Sequence, residues 1–160
     1  MAKITIISVG KIKKGYIKKG IEDYSEKIKK YASLEILDFD AGVLNAEKDE
    51  KLVQSVLDKE AVNIENRIKE GSIVIALDVK GKAMSSEKFA STLNQYFVMG
   101  KSHITFIIGG SYGLHNRILE RADIRLSMSE FTFPHQLARL IILEQIFRAF
   151  KILKGETYHK

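Results

Sequence analysis

The stretch ITFIIGGSYG, residues 104–113, decides the fold class of this chain. Its first five residues are apolar apart from one threonine, a pattern typical of a strand that is buried on both faces of a parallel sheet. A turn with three glycines follows directly. The stretch SIVIALD, residues 72–78, has the same near-continuous apolar character. Two such strands favour a mostly parallel sheet with helices on its faces.

Segments with strand and helix patterns alternate through the rest of the chain. Further strands are predicted at residues 3–9, 34–39 and 124–128. Helical spacing of apolar residues predicts helices at residues 15–31, 47–70, 86–99 and 115–122, and a last helix from Pro134 to about Leu153. No repeat, low-complexity tract or linker interrupts this order. The sequence therefore predicts an α/β fold in one domain, residues 1–160.

The composition excludes several classes of protein. The chain has 160 residues, and its hydrophobic content of 45% excludes intrinsic disorder. It has no cysteine, so a disulfide framework, a thiolate metal site and a cysteine nucleophile are excluded. No two of its four histidines stand at metal-ligand spacing, and no apolar run approaches the length of a membrane span. We therefore expect a cytoplasmic protein that binds neither a metal nor a membrane.

The charge is distributed unevenly along the chain. The net charge is +6, from 26 basic and 20 acidic residues. Residues 1–30 contain nine lysines and three acidic residues, whereas residues 31–70 contain ten acidic and five basic residues. A basic face suits a polyanion such as nucleic acid. The alternative is a lysine-rich helix that is simply solvated.

Two loops stand where a parallel α/β sheet binds its ligands, beyond the carboxyl ends of the strands. The glycines of residues 109–113 allow the backbone to approach a ligand closely, or simply to turn tightly. No dinucleotide fingerprint and no P-loop motif occurs. The loop at residues 128–135 is unusually apolar for a connection. Its Phe131 and Phe133 either cover a planar ligand such as adenine or fill the core.

The last predicted helix is apolar around most of its circumference, and only a narrow polar stripe remains. A helix that packs on one face of a sheet needs a single apolar stripe. We therefore predict a homodimer with this helix at the interface, the alternative being full burial within one chain. The tail ends in Tyr158, His159 and Lys160. These groups could stack on a base, move a proton and hold a phosphate, or form a frayed end.

Six short motifs, in order and at compatible spacing, resemble the RlmH family of SPOUT methyltransferases. They read IISVGK at residues 6–11, LDVKGK at 77–82, FIIGG at 106–110, FTFPHQ at 131–136 with Arg139 one turn on, EQIFRAFKI at 144–152 and YHK at 158–160. The resemblance runs the whole length of the chain. It implies a parallel-sheet α/β-knot (SPOUT) fold with a C-terminal trefoil knot, and S-adenosylmethionine as the cofactor.

The resemblance also implies a substrate and a cofactor site. The substrate would be a pseudouridine in a stem-loop of large-subunit ribosomal RNA, methylated at N3, with the ribosome as partner. The family's cofactor positions correspond in this sequence to Leu77, Gly109, Met128, Ser129, Glu130, Phe131, Thr132 and Phe133.

Methylation of N3 removes a proton, so a base must accept it or a cation must stabilise the anion. The catalytic candidates are His135, Arg139, Tyr158, His159 and Lys160. The two histidines would accept the proton, Arg139 and Lys160 would contact an anion or phosphate, and Tyr158 would stack on or orient the base. Candidate contacts to RNA phosphates are Lys11, Lys13, Lys14, Lys18, Lys19 and Arg148.

Other functions stay open at this stage. A SPOUT methyltransferase that acts on another RNA, such as transfer RNA, would share the same fold and cofactor. A non-catalytic protein on the same scaffold would bind RNA or the ribosome without modifying it. A nucleotide-dependent oxidoreductase is more distant, because no dinucleotide fingerprint follows any strand.

Overall fold

The computed structural model describes residues 1–13, 15–42 and 49–158, and a parallel sheet with helices on both faces organises them. Its strands are Ala2–Val9 (β1), Ala32–Phe39 (β2), Ile73–Ala83 (β3), His103–Ile108 (β4) and Ile124–Ser127 (β5). Its helices are Gly15–Ile28 (α1), Glu50–Glu65 (α2), Ser86–Val98 (α3), Asn116–Arg121 (α4) and His135–Leu153 (α5). The predicted alternation of strands and helices is confirmed.

The five strands of the described residues lie in the order β2-β1-β4-β3-β5, and each pair of neighbours is parallel. The central strands explain the continuous apolar stretches of the sequence. Ile6 of β1 pairs with Phe106 of β4, and both side chains are fully buried. Burial on both faces leaves no position for an exposed polar residue in the middle of these strands. The predicted parallel α/β sheet is therefore confirmed, and the trefoil knot stays a prediction.

Two hydrophobic cores lie on the two faces of the sheet. The larger core joins α1, α3 and α5 to the sheet, and the smaller one joins α2 and α4 to the opposite face. Helix α3 begins at a serine that caps its first turn. Ser85 precedes α3, and its side chain accepts a hydrogen bond of 3.0 Å from the backbone N–H of Lys88.

Helix α5 packs against both α1 and α3, and this corrects the reason for expecting a dimer. No residue from His135 to Leu153 is exposed in the single chain. Burial within one chain therefore accounts for much of the apolar circumference. The homodimer needs other support, which is given below. No helix of the described residues combines the length and the apolar character needed to cross a membrane.

Two elements differ from the prediction in ways that affect the candidate site. The predicted strand at 72–78 continues through Gly81 to Ala83, because the chain returns to β5 after a bulge. Leu77 and Lys82 both pair with Leu126, so the intervening residues bulge out of the sheet. The predicted helix at 47–70 ends at Glu65, and its predicted first residues, 47 and 48, lie outside the described part of the chain.

Candidate active site

A cavity of about 650 Å³ opens beyond the carboxyl ends of β3, β4 and β5, and we call it the strand-end cavity. This volume falls within the range of roughly 300–1,000 Å³ that is usual for small-molecule sites. Its walls come mainly from residues 77–80 at the bulge of β3, and from residues within 108–114 and 126–135, where β4 and β5 end and their loops begin. The position predicted from the rule for parallel sheets is therefore where the structure places a cavity of ligand-binding size.

Most of the predicted cofactor positions line this cavity. They are Leu77, Gly109, Met128, Ser129, Phe131, Thr132 and Phe133. Glu130 is not among the lining residues and is exposed. The site prediction did not include Asp78, Val79 and Lys80, which line the cavity from the bulge of β3. Their position directly after a buried strand, within a motif already singled out, was the signal that could have found them.

The glycine-rich loop forms one wall with its backbone. A Cβ atom at Gly109 would lie 2.6 Å from the carbonyl oxygen of Gly113, closer than a real Cβ atom approaches. The loop is closed by a hydrogen bond of 3.1 Å that the Gly113 N–H donates to the carbonyl oxygen of Gly110. Gly113 has φ +77°, a left-handed conformation that favours glycine. The same glycines thus allow the tight turn and bring the backbone of the loop close to the cavity.

The two phenylalanines of the loop after β5, Phe131 and Phe133, have different environments. Phe133 is half-buried and packs on the larger core, as the core interpretation predicted. Phe131 is 80% exposed, although it lines the cavity. Its backbone N–H donates a hydrogen bond of 2.9 Å to the hydroxyl of Ser129, which fixes the turn. An exposed ring held at the cavity rim can stack on a planar ligand.

His135 brings a titratable group into the cavity wall at the first residue of α5. Burial lowers the pKa of its imidazole, and the positive charge of Arg139 lowers it further. The imidazole is therefore neutral at pH 7 and can accept a proton. The loop after β1 passes close to this ring, since a Cβ atom at Gly10 would lie 3.3 Å from its Nε2.

Arg139, one turn further along α5, lies outside the cavity and is 1% exposed. Its Nη2 donates a hydrogen bond of 2.6 Å to the carbonyl oxygen of Gly10, and its Nη1 lies 3.4 Å from a carboxylate oxygen of Asp38. Burial lowers the pKa of the guanidinium, and Asp38 opposes this shift. These contacts join α5 to the ends of β1 and β2. A direct contact between Arg139 and the anion or a phosphate of the substrate stays a prediction.

The tail packs against the middle of α5. The Tyr158 hydroxyl donates a hydrogen bond of 3.2 Å to a carboxylate oxygen of Glu144, and its ring meets Phe147 edge-on at 4.9 Å. Burial raises the pKa of Tyr158, and the interactions of its hydroxyl with Tyr24 and Glu144 raise it further. Arg148 donates from Nε to Glu144 at 2.9 Å and lies 4.9 Å from the centre of the Tyr158 ring. His159 and Lys160 lie outside the described residues.

Tyr158 and His135 are therefore apart within one chain. Glu144, the partner of Tyr158, stands nine residues after His135 on the same helix. At a rise of 1.5 Å per residue this corresponds to about 14 Å along the helix axis. Tyr158 is not among the residues that line the strand-end cavity. Within a single chain, the structure thus does not bring Tyr158 to His135, whereas Arg139 lies one turn from His135 on the same helix.

The predicted RNA contacts fall into two groups. Lys11, Lys13, Lys18 and Lys19 are exposed. The backbone N–H of Lys13 donates a hydrogen bond of 3.1 Å to the side-chain oxygen of Gln136, which places this loop beside the first turn of α5. Arg148 is half-buried and bound to Glu144. Lys14 lies outside the described residues. Among the residues that the structure describes, no group of three or more histidines or carboxylates could hold a metal ion.

Comparison with known proteins identifies the family. The family described as Predicted SPOUT methyltransferase matches residues 2–159. The chain belongs to this family. Two similar relatives are proteins named Ribosomal RNA large subunit methyltransferase H. The one from Acetivibrio thermocellus is 48% identical over 158 residues, and the one from Clostridioides difficile is 48% identical over 157 residues. These alignments cover 99% and 98% of this chain and 99% of each relative.

A solved structure supports the fold independently of the sequence. A probable methylase family protein from Haemophilus influenzae Rd KW20 superposes with a TM-score of 0.53 at 16% identity. The match covers 98% of this chain and 70% of that one. At this identity the likeness shows the fold alone.

SPOUT methyltransferases use S-adenosylmethionine, and the strand-end cavity fits this cofactor. The volume suits a nucleoside with an attached amino acid, and the side chains of Leu77, Leu114 and Met128 supply apolar surface for an adenine ring. Because Gly109 has no side chain, the loop keeps a space that a Cβ atom would fill. The residues that would hold the cofactor are those of the three strand-end segments, and Phe131 could cover its ring.

Proposed function

We propose that this SPOUT methyltransferase methylates N3 of a pseudouridine in large-subunit ribosomal RNA. The observation that carries the proposal is the convergence of three strand-end segments and His135 on one cavity. The relatives named Ribosomal RNA large subunit methyltransferase H, which match this chain over nearly its whole length, support ribosomal RNA as the substrate class. The resemblance of the sequence motifs to the RlmH family supports pseudouridine N3 as the acceptor.

In this proposal the chain positions the acceptor and removes its proton. Bound S-adenosylmethionine supplies an activated methyl group. The N3 proton would pass to the neutral imidazole of His135 as N3 gains the methyl group and the carbon–sulfur bond to that group breaks. A neutral thioether and an imidazolium would result, so the net charge is unchanged. His135 suits this task because it lines the cavity and because its pKa is lowered. Phe131, exposed at the rim, would hold the unstacked base against the opening.

The proposal includes a homodimer, in which the tail of one chain completes the cavity of the other. The support is the separation of about 14 Å along α5 between His135 and the contact of Tyr158. A second chain can bring Tyr158, His159 and Lys160 to the cavity without unpacking the tail from its own helix. We place this dimer in the cytoplasm, with the ribosome as its partner.

The test is transfer of labelled methyl groups from S-adenosylmethionine to RNA. Large ribosomal subunits, free ribosomal RNA and transfer RNA are offered in parallel, and the product nucleoside is identified by digestion and mass spectrometry. The proposal predicts 3-methylpseudouridine from the ribosomal fractions. Label in transfer RNA alone would establish the alternative substrate, and binding of ribosomal RNA without transfer would establish a non-catalytic protein.

His135→Gln separates chemistry from binding in the same assay. Glutamine keeps a hydrogen-bonding side chain but cannot accept the proton, so we expect transfer to fall about 10²- to 10⁴-fold with little change in cofactor affinity. The matched control is Lys51→Gln on α2, an exposed residue on the opposite face of the sheet. Full activity of the His135 variant would remove this residue from the proposed mechanism.

A further inference from the structure

A second cavity, of about 560 Å³, lies beside the strand-end cavity, and four cations border it. It runs between the bulge of β3, the start of β5 and helix α3. We call it the basic groove and define it by Lys80, Lys82, Lys88 and Arg125, all of which are exposed. None of these residues has a role in the proposed chemistry.

The positive charge of the basic groove is not neutralised by the chain itself. No described carboxylate forms an ion pair with any of its four cations. One acidic residue, Asp123, lies among the lining residues. Its carboxylate accepts a hydrogen bond of 2.8 Å from the backbone N–H of Val74 and is already engaged. Four positive charges against one negative charge leave the groove with a net positive charge, which attracts a polyanion.

The backbone holds these cations in place. Lys80 and Lys82 flank Gly81 in the bulge of β3, and a Cβ atom at Gly81 would lie 2.5 Å from the carbonyl oxygen of Arg125. The bulge is therefore pressed directly against β5. Arg125 donates from its Nε to the carbonyl oxygen of Leu119 at 2.9 Å, which orients its guanidinium. Lys82 and Arg125 lie on paired strands and Lys88 on a helix, so the backbone that carries them is ordered before a ligand binds.

The groove is continuous with the strand-end cavity. Lys80 lines both of them. On the other side of the strand-end cavity, the loop that carries Lys11 and Lys13 lies beside the first turn of α5. A nucleotide held in the cavity would thus have basic surface on both sides. Single-stranded RNA places one phosphate at every nucleotide, so the phosphates next to the target base would meet these lysines.

We infer that the basic groove binds the phosphodiester backbone of the acceptor RNA, next to the nucleotide in the strand-end cavity. The inference rests on the proposed function, because that function makes RNA the substrate. It adds a surface on β3, β5 and α3 to the lysines of α1. The lysines of the groove contribute affinity and orientation rather than chemistry.

The test reverses two charges that line the groove but not the strand-end cavity. The variant is Lys82→Glu/Lys88→Glu. The matched control is Lys51→Glu/Lys59→Glu, which makes the same change of charge at exposed positions of α2 on the opposite face. Each protein is titrated with S-adenosylmethionine by calorimetry. Each is also titrated with a labelled hairpin transcript of large-subunit ribosomal RNA and with purified large subunits, at several salt concentrations.

We expect the groove variant to bind S-adenosylmethionine like the wild type and to bind the hairpin more weakly. Each lost phosphate contact lowers the slope of log affinity against log salt by about 0.7–0.9, which is roughly five- to tenfold in affinity at 0.1 M salt. The two substitutions should therefore weaken binding by about 25- to 100-fold. The control should stay within about threefold of the wild type.

Several outcomes would overturn the inference. An equal loss in the control would show a general effect of net charge, and an unchanged salt slope would show that no phosphate contact was removed. Weaker binding to subunits with unchanged binding to the hairpin would indicate a ribosomal protein as the partner. A wild-type protein that binds neither probe would also contradict it.

The proposed function and the inferred RNA-binding surface would be contradicted by different results. If the wild type transfers no methyl group yet binds the hairpin through the groove, the function is wrong and the surface stands. If it methylates ribosomal RNA and the groove variant keeps the same KM, the surface is wrong and the function stands.

Discussion

The substitution Gly109→Ala tests whether the glycine-rich loop forms the cofactor wall. The new Cβ atom would lie 2.6 Å from the carbonyl oxygen of Gly113 and 2.8 Å from its carbonyl carbon. Non-bonded carbon atoms prefer a separation of about 3.5 Å, so the carbonyl carbon of Gly113 must move by roughly 0.7 Å. The partner is backbone rather than a flexible side chain, and the strain therefore displaces the loop itself.

The displacement should be visible in two measurements. Overpacking of this kind costs about 1–3 kcal/mol, which lowers the Tm of a chain of this size by roughly 2–12 °C. If binding of S-adenosylmethionine requires the loop to return to its place, the same free energy lowers the affinity by about 5- to 150-fold. Calorimetric titration gives the affinity, and a thermal melt of the same sample gives the stability.

The matched control is Gly15→Ala at the first residue of α1. A Cβ atom there meets no atom within 4 Å, and we expect unchanged cofactor affinity. A folded Gly109→Ala protein with wild-type affinity would refute the reasoning, because the loop would then lie outside the cofactor site.

Three further predictions concern α5 and the tail. Arg139→Met keeps the buried volume but removes the hydrogen bonds to Gly10 and Asp38. Urea denaturation should therefore show that the free energy of unfolding falls by about 2–3 kcal/mol. Unchanged stability with lost methyl transfer would instead favour a contact between Arg139 and the substrate. Deletion of residues 158–160 should leave folding and cofactor binding intact and abolish transfer, and a fully active truncated protein would contradict a catalytic tail. Because the pKa of His135 is lowered on folding, the unfolded chain takes up its proton first as the pH falls below about 6.5. Stability should therefore decline between pH 7 and 5, and less steeply in His135→Gln; an identical decline in both would show that His135 does not contribute.

The fold was accessible from the sequence where burial leaves a local pattern. Residues 73–77 of β3 and 104–108 of β4 are apolar at nearly every position, because both faces of the sheet are covered there. The prediction was less accurate where the chain is shaped by distant contacts. The predicted strand ended at residue 78, yet the chain returns to β5 after the bulge because Lys82 can pair again with Leu126. No feature within residues 77–82 indicates that second pairing.

The candidate site divides in the same way. The cavity position followed from a rule about strand ends, and most of the residues singled out there line it. Arg139 and Tyr158 were grouped with His135 on chemical grounds. The structure instead places Arg139 in the core and Tyr158 on Glu144. Side-chain chemistry indicates what a residue can do but contains no information on which surface it reaches.

The amino-acid sequence by itself determined the parallel α/β sheet, the positions of its strand-end loops and the likeness to SPOUT methyltransferases. These properties depend on short-range periodicity, on glycines and on motifs that are contiguous along the chain. Only the tertiary structure decided the strand order, the burial of Arg139, the separation of the tail from the cavity and the union of Lys80, Lys88 and Arg125 in one groove. These depend on contacts between residues far apart in the chain, which form because each helix must bury its apolar face against a particular part of the sheet.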